Sequence, residues 1–137
     1  ATAEILDPRT MRSTPMASLG APRQGHLAVA VGSGVLVVGG IVSGGACARL
    51  VDTTEIWDRS TDGWRAGPPL ACGMGSSGTS LGDERYLVAG GSGRSASATS
   101  KQARLWDPPR ERWIEVAPLG IMYDFIHWYV PKNRSEW

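Results

Sequence analysis

Residues Thr53–Leu70 read TTEIWDRSTDGWRAGPPL. A short run rich in β-formers ends in Trp57–Asp58, a small polar turn follows, and Trp64 opens a second run that stops at Pro68–Pro69. Extended runs bounded by Asp, Ser, Gly and Pro predict two strands joined by a turn. A lone hairpin of this kind says little about fold, so the question is whether it recurs.

It does. Thr2–Leu19 reads TAEILDPRTMRSTPMASL and Gln102–Leu119 reads QARLWDPPRERWIEVAPL. Asp7, Asp58 and Asp107 align, 51 and then 49 residues apart, and Leu19, Leu70 and Leu119 keep those spacings. Trp64 and Trp113 also match, while the first copy has Ser13 there. A second element keeps the beat: VLVVGG ends at Gly40 and YLVAGG ends at Gly91. Before each lies a further apolar segment, HLAVAV (His26–Val31) and the weaker SGTSL (Ser77–Leu81), joined through the turns 32–34 and 82–85. The unit is therefore four strands in about 50 residues, and a period in this range signals a repeat architecture.

Paired glycines (Gly39–Gly40, Gly90–Gly91), aromatic-Asp (Trp57–Asp58, Trp106–Asp107) and the later Trp64 and Trp113 together resemble the kelch repeat. Arg23 and His26 match the repeat's inner strand once; Met74 and Ser77 stand there in the next copy. The resemblance covers roughly residues 2–119. It implies an all-β fold: a fragment of a kelch-type β-propeller with four-stranded antiparallel blades and an incomplete ring. It divides the chain into the outer hairpin of a partial blade (1–19), two full blades (20–70 and 71–119) and a divergent aromatic tail or degraded first strand of a further blade (120–137). The Trp–Asp pairs and Gly25–His26 also look like the WD-repeat propeller, but that period is about 40–45 residues, shorter than the spacing here. Ser60–Gly63 is similar in part to the Asp-box of sialidase propellers, and only once.

Composition narrows the function. The chain has 137 residues, is 42% hydrophobic and 20% charged, and carries a net charge of +1 with no basic stripe for nucleic acid. Eighteen Gly and nine Pro argue for many turns and few long helices. The longest apolar run, Leu27–Val42, is Gly-punctuated and shorter than a membrane helix requires. No signal peptide is visible, and the absence of an initiator Met suggests a processed or fragmentary chain. Two histidines, His26 and His127, form no catalytic or metal-ligand pattern, so no catalytic residue, metal or cofactor is expected.

The remaining residues take structural readings first. Trp57, Trp64, Trp106 and Trp113 are expected to pack between blades, with a sugar-stacking platform as the alternative. Asp7, Asp58 and Asp107 are expected to lock turns through backbone N–H groups two residues on. The double glycines serve turn chemistry. In a four-stranded antiparallel blade, the loop between the middle strands shares a rim with the loops joining blades, which groups 40–52, 71–76 and 91–102. Arg49, Arg94 and Lys101 are the candidate contacts on that rim, because binding residues gather on loops held by a rigid scaffold. Cys47 and Cys72 fall on the same rim as idle thiols or as a disulfide, which their spacing cannot decide.

Two functions follow from the resemblance. One is a non-catalytic scaffold binding a protein partner through rim loops. The other is part of a secreted carbohydrate-active or carbohydrate-binding propeller related to galactose oxidase, whose copper-ligand set cannot be placed on these residues. Two and a half blades cannot close a ring, so the missing blades are expected from a longer parent chain, copies of this chain or a docking partner. The tail 120–137 holds Tyr123, Phe125, Trp128, Tyr129 and Trp137; Asp124 and His127 repeat the spacing of Arg23 and His26, and Asn133 opens a glycosylation sequon.

Overall fold

The computed structural model describes residues 2–42, 49–70, 76–91 and 101–120. Arg94, Met74, the Cys47–Cys72 pairing and the tail features at Asp124, His127 and Asn133 lie outside those residues.

The described chain is β-structure with one short 3-10 turn. It opens with a hairpin, β1 (Ala3–Asp7) and β2 (Arg12–Met16). A four-stranded sheet follows, beginning with β3 (Leu27–Val31) and β4 (Gly34–Val38). The chain then makes a two-stranded ladder, β5 (Ile41–Val42) and β6 (Arg49–Leu50), and returns as β7 (Thr54–Asp58) and β8 (Gly63–Gly67). The second four-stranded sheet comprises β9 (Ser77–Gly82), β10 (Arg85–Ala89), β11 (Ala103–Asp107) and β12 (Arg112–Val116). The strand orders are β3-β4-β7-β8 and β9-β10-β11-β12, all antiparallel. Among the described residues the architecture is thus two copies of one four-stranded meander, preceded by a two-stranded hairpin.

Registers show how strictly the unit repeats. Trp57 lies opposite Trp64, Trp106 opposite Trp113, and in the first hairpin Leu6 opposite Ser13. One turn residue per hairpin takes a left-handed conformation at the same place: Met11 (φ 54°), Asp62 (φ 44°) and Glu111 (φ 45°). Backbone bonds repeat as well: Gly39 N–H donates to Thr53 O and Gly90 N–H to Gln102 O, while Leu70 N–H donates to Asp52 O and Leu119 N–H to Lys101 O.

Alternation sets two faces on each sheet. On the first sheet Leu36 lies opposite Ile56, and the pair faces the second sheet; Val35 and Trp57 face the other way. On the second sheet Tyr86 and Trp106 share the face that meets Leu36, Val38 and Ile56. Leu36, Val38, Ile56, Leu70, Tyr86, Val88 and Trp106 form one buried cluster, flanked by Leu27, Val29, Val31 and Trp113. The core is therefore the seam between neighbouring sheets. The Trp106 and Trp113 rings lie 5.2 Å apart and tilted by 60°, a favourable aromatic arrangement. The opposite face of the first sheet is tied to the first hairpin's exit: Trp64 Nε1–H donates to Ala17 O at 2.7 Å and Ala17 N–H donates to Asp62 Oδ1.

Of the three aspartate turns, two share one pattern and the third departs from it. Asp7 accepts from Arg9 N–H (2.8 Å) and Asp58 from Ser60 N–H (2.8 Å). These bonds hold both carboxyl groups below their ordinary pKa: for Asp7 the Arg9 N–H acts most, for Asp58 the Ser60 hydroxyl. Asp107 cannot copy them, because two residues on stands Pro109, which has no N–H. A 3-10 turn, Pro108–Arg110, forms instead, and Asp107 Oδ2 takes Arg110 at 3.2 Å and Arg112 at 3.4 Å. The 40–52 connection, read as a loop, carries the β5–β6 ladder. Its ends hold the apolar residues Ile41, Val42 and Leu50, and Ile41 pairs with Leu50.

Candidate functional site

The connections after β2 and after β4 meet at one rim. Gln24 and Ile41 exchange both backbone hydrogen bonds at 2.9 Å, tying the entry to β3 onto β5. Val51 N–H donates to Gly40 O at 2.9 Å, folding the 40–52 connection over the double glycine. Gly40 sits at φ 97°, and a side chain there would meet Gln24 O and His26. The glycine is thus required both by conformation and by close backbone approach.

Beneath this rim lies a buried clamp. Arg23, whose side chain is 1% exposed, donates to Gly39 O at 3.2 Å, to Thr53 O at 3.0 Å and to Thr53 Oγ1 at 3.1 Å, and pairs with Glu55 Oε1 at 2.5 Å. The second carboxylate oxygen of Glu55 accepts Gly20 N–H at 2.7 Å. One side chain therefore holds the incoming strand, the double glycine and the start of β7 together. Buried charge of this kind is tolerated only when paired and hydrogen-bonded.

Two clefts open beside the clamp. One of about 560 Å³ is lined by Ala21, Val42, Arg49, Leu50, Val51, Asp52 and Thr53. Another of about 450 Å³ lies against Arg23, Glu55 and Trp64. The first offers an exposed Arg49, an exposed Asp52 and apolar walls. Among the described residues no group of His, Cys, Asp and Glu could hold a metal ion, and no helix is long and apolar enough to cross a membrane.

Residues 22–71 match the Kelch motif. This segment is similar to a kelch repeat. The solved structure of YjhT, a kelch-type propeller protein, matches with a TM-score of 0.66 at 14% identity, over 80% of this chain and 41% of that one. The chain thus spans about two fifths of YjhT's length. No curated protein matches it in sequence. The match to 103 solved chains speaks for the fold, and a fold shared so widely cannot by itself select a function.

Within the kelch unit the rim candidates part company. Arg49 lies on β6 and lines the larger cleft. Lys101 sits on the next unit's rim, where its Nζ donates to Gly120 O at 3.3 Å. Lys101 occupies the repeat position of Asp52 rather than that of Arg49, so the units do not present equivalent charges. The Arg23–Glu55 clamp was only half visible in sequence: Arg23 as a repeat marker, Glu55 not at all. Glu55 has no counterpart carboxylate in the next unit, where Arg104 stands in its place and pairs with Glu115 at 3.2 Å.

Proposed function

We propose that the kelch unit at 22–71 is a protein-binding scaffold whose rim cleft around Arg49 receives an extended segment of a partner. Kelch propellers commonly serve protein interaction, and the observation that carries the finer reading is the cleft's construction. Its floor is pinned by backbone bonds and by the Arg23 clamp, while Arg49 and Asp52 stay exposed at its mouth. A fixed frame with exposed charge at the edge costs little ordering on binding. Arg49 selects a carboxylate by paired N–H donation, and Val42, Leu50 and Val51 take a neighbouring apolar side chain.

Selection of a random peptide library against the chain tests this reading. Enriched peptides should carry Asp or Glu beside an apolar residue and should bind the Arg49→Glu variant at least tenfold more weakly. Peptides that bind both proteins equally would place the interaction elsewhere. Oligosaccharide binding that survives Arg49→Glu would favour the carbohydrate reading.

A further inference from the structure

Trp57 and Trp106 hold the same place in successive units, opposite Trp64 and Trp113, yet their indole N–H groups end differently. Trp57 Nε1–H donates to Asp62 Oδ1 at 3.0 Å, in the turn before β8. The turn before β12 has Glu111 at that place, with the same left-handed backbone. Glu111 does not turn back to its own tryptophan. It forms an ion pair with Arg65, on β8 of the neighbouring sheet. Trp106 is 2% exposed, and its Nε1–H has no acceptor among the described residues. Folded proteins seldom keep a buried donor unpaired, and each such group calls for a reason.

Trp106 lines a cleft of about 260 Å³ at the turn end of the seam, together with Asp58, Arg65, Glu84 and Glu111. The β3–β4 and β11–β12 turns border it, at the opposite end of the strands from the rim that carries Arg49. Three carboxylates meet one guanidinium there, and that guanidinium is already paired with Glu111. The other basic side chains of the β11–β12 turn, Arg110 and Arg112, are held by Asp107. Negative charge is therefore in excess around a buried N–H that needs an oxygen. The two features ask for different chemistry. A bare cation would leave the indole unpaired, and an anion would face the carboxylates.

We infer that this cleft binds a small organic cation that also carries an oxygen acceptor, the chemistry of a hydroxyl-bearing primary amine of about monosaccharide size. Its ammonium group lies among Asp58, Glu84 and Glu111, where charge-assisted hydrogen bonds are strongest. One of its oxygens accepts from Trp106 Nε1–H and replaces the bond that Asp62 supplies to Trp57. The site is independent of the rim reading, because none of its residues lines the Arg49 cleft.

Four probes separate the two requirements: glucosamine carries both the ammonium and the hydroxyls, glucose only the hydroxyls, cyclohexylamine only the ammonium, and glucuronate the wrong charge. Each is titrated into the chain while the indole N–H signals are followed by ¹H–¹⁵N spectroscopy, the Trp106 signal being assigned through Trp106→Phe. Glucosamine should move that signal saturably and bind at least tenfold more tightly than glucose or cyclohexylamine, and glucuronate should not move it. Glu84→Gln, in an exposed turn, should weaken glucosamine at least fivefold with an unchanged circular dichroism spectrum, whereas Arg49→Glu should leave its binding as it is. A Trp106 signal indifferent to glucosamine, glucose or glucuronate binding as tightly, or a Glu84→Gln variant that binds like the wild type would each overturn the inference.

Discussion

At the scale of single residues, the Arg23–Glu55 pair binds three stretches of chain that are far apart in sequence. The Arg23 guanidinium reaches Gly39, Thr53 and Glu55, and Glu55 reaches back to Gly20. A buried pair is worth little over an apolar replacement, yet breaking one strands the other charge. Arg23→Met is therefore expected to cost about 3–5 kcal/mol in urea unfolding, and Arg23→Met combined with Glu55→Leu clearly less than the sum of the single losses. Additive losses would show that the two side chains act separately. This clamp was poorly legible in sequence for a specific reason: Glu55 stands at a position where the neighbouring unit has Arg104, so the repeat conceals the partner rather than marking it.

At the scale of elements, the strands were legible because each leaves a local chemical trace. Double glycine closes β4 and β10, and aromatic-Asp closes β7 and β11. Asp107 shows where a pattern misleads: the letters repeat, but Pro109 removes the donor that the same turn uses at Arg9 and Ser60. Pairing between strands adds constraints that no single strand displays. Gly78 lies opposite Val88 on β9–β10, and a side chain there would collide with the Tyr86 ring, so glycine makes room for that tyrosine in the seam. Burial raises the Tyr86 pKa above its ordinary value near 10.0. The folded chain then keeps a proton that the unfolded chain has lost, so stability persists below about pH 10 and falls as pH rises further. Urea midpoints measured from pH 7 to 11 should show that alkaline decline in the wild type and a shallower one in Tyr86→Phe; parallel curves would locate the decline in other groups.

At the scale of the molecule, the two four-stranded antiparallel sheets pack face to face, with the Tyr86–Trp106 row of the second lying on the Leu36–Ile56 row of the first. The spacing of glycines and tryptophans made the four-stranded units readable, and the kelch match over 22–71 and the fold shared with YjhT agree with that reading. What spacing could not supply was which face of each sheet is covered. That depends on register, which places Trp106 toward Leu36 and Ile56 and leaves Leu87 and Leu105 on the far side. Nuclear Overhauser contacts from the Trp106 ring test this directly. Cross-peaks to the methyl groups of Leu36, Val38 or Ile56 are predicted; cross-peaks to Leu87 or Leu105 in their place would contradict the packing of one blade on the next.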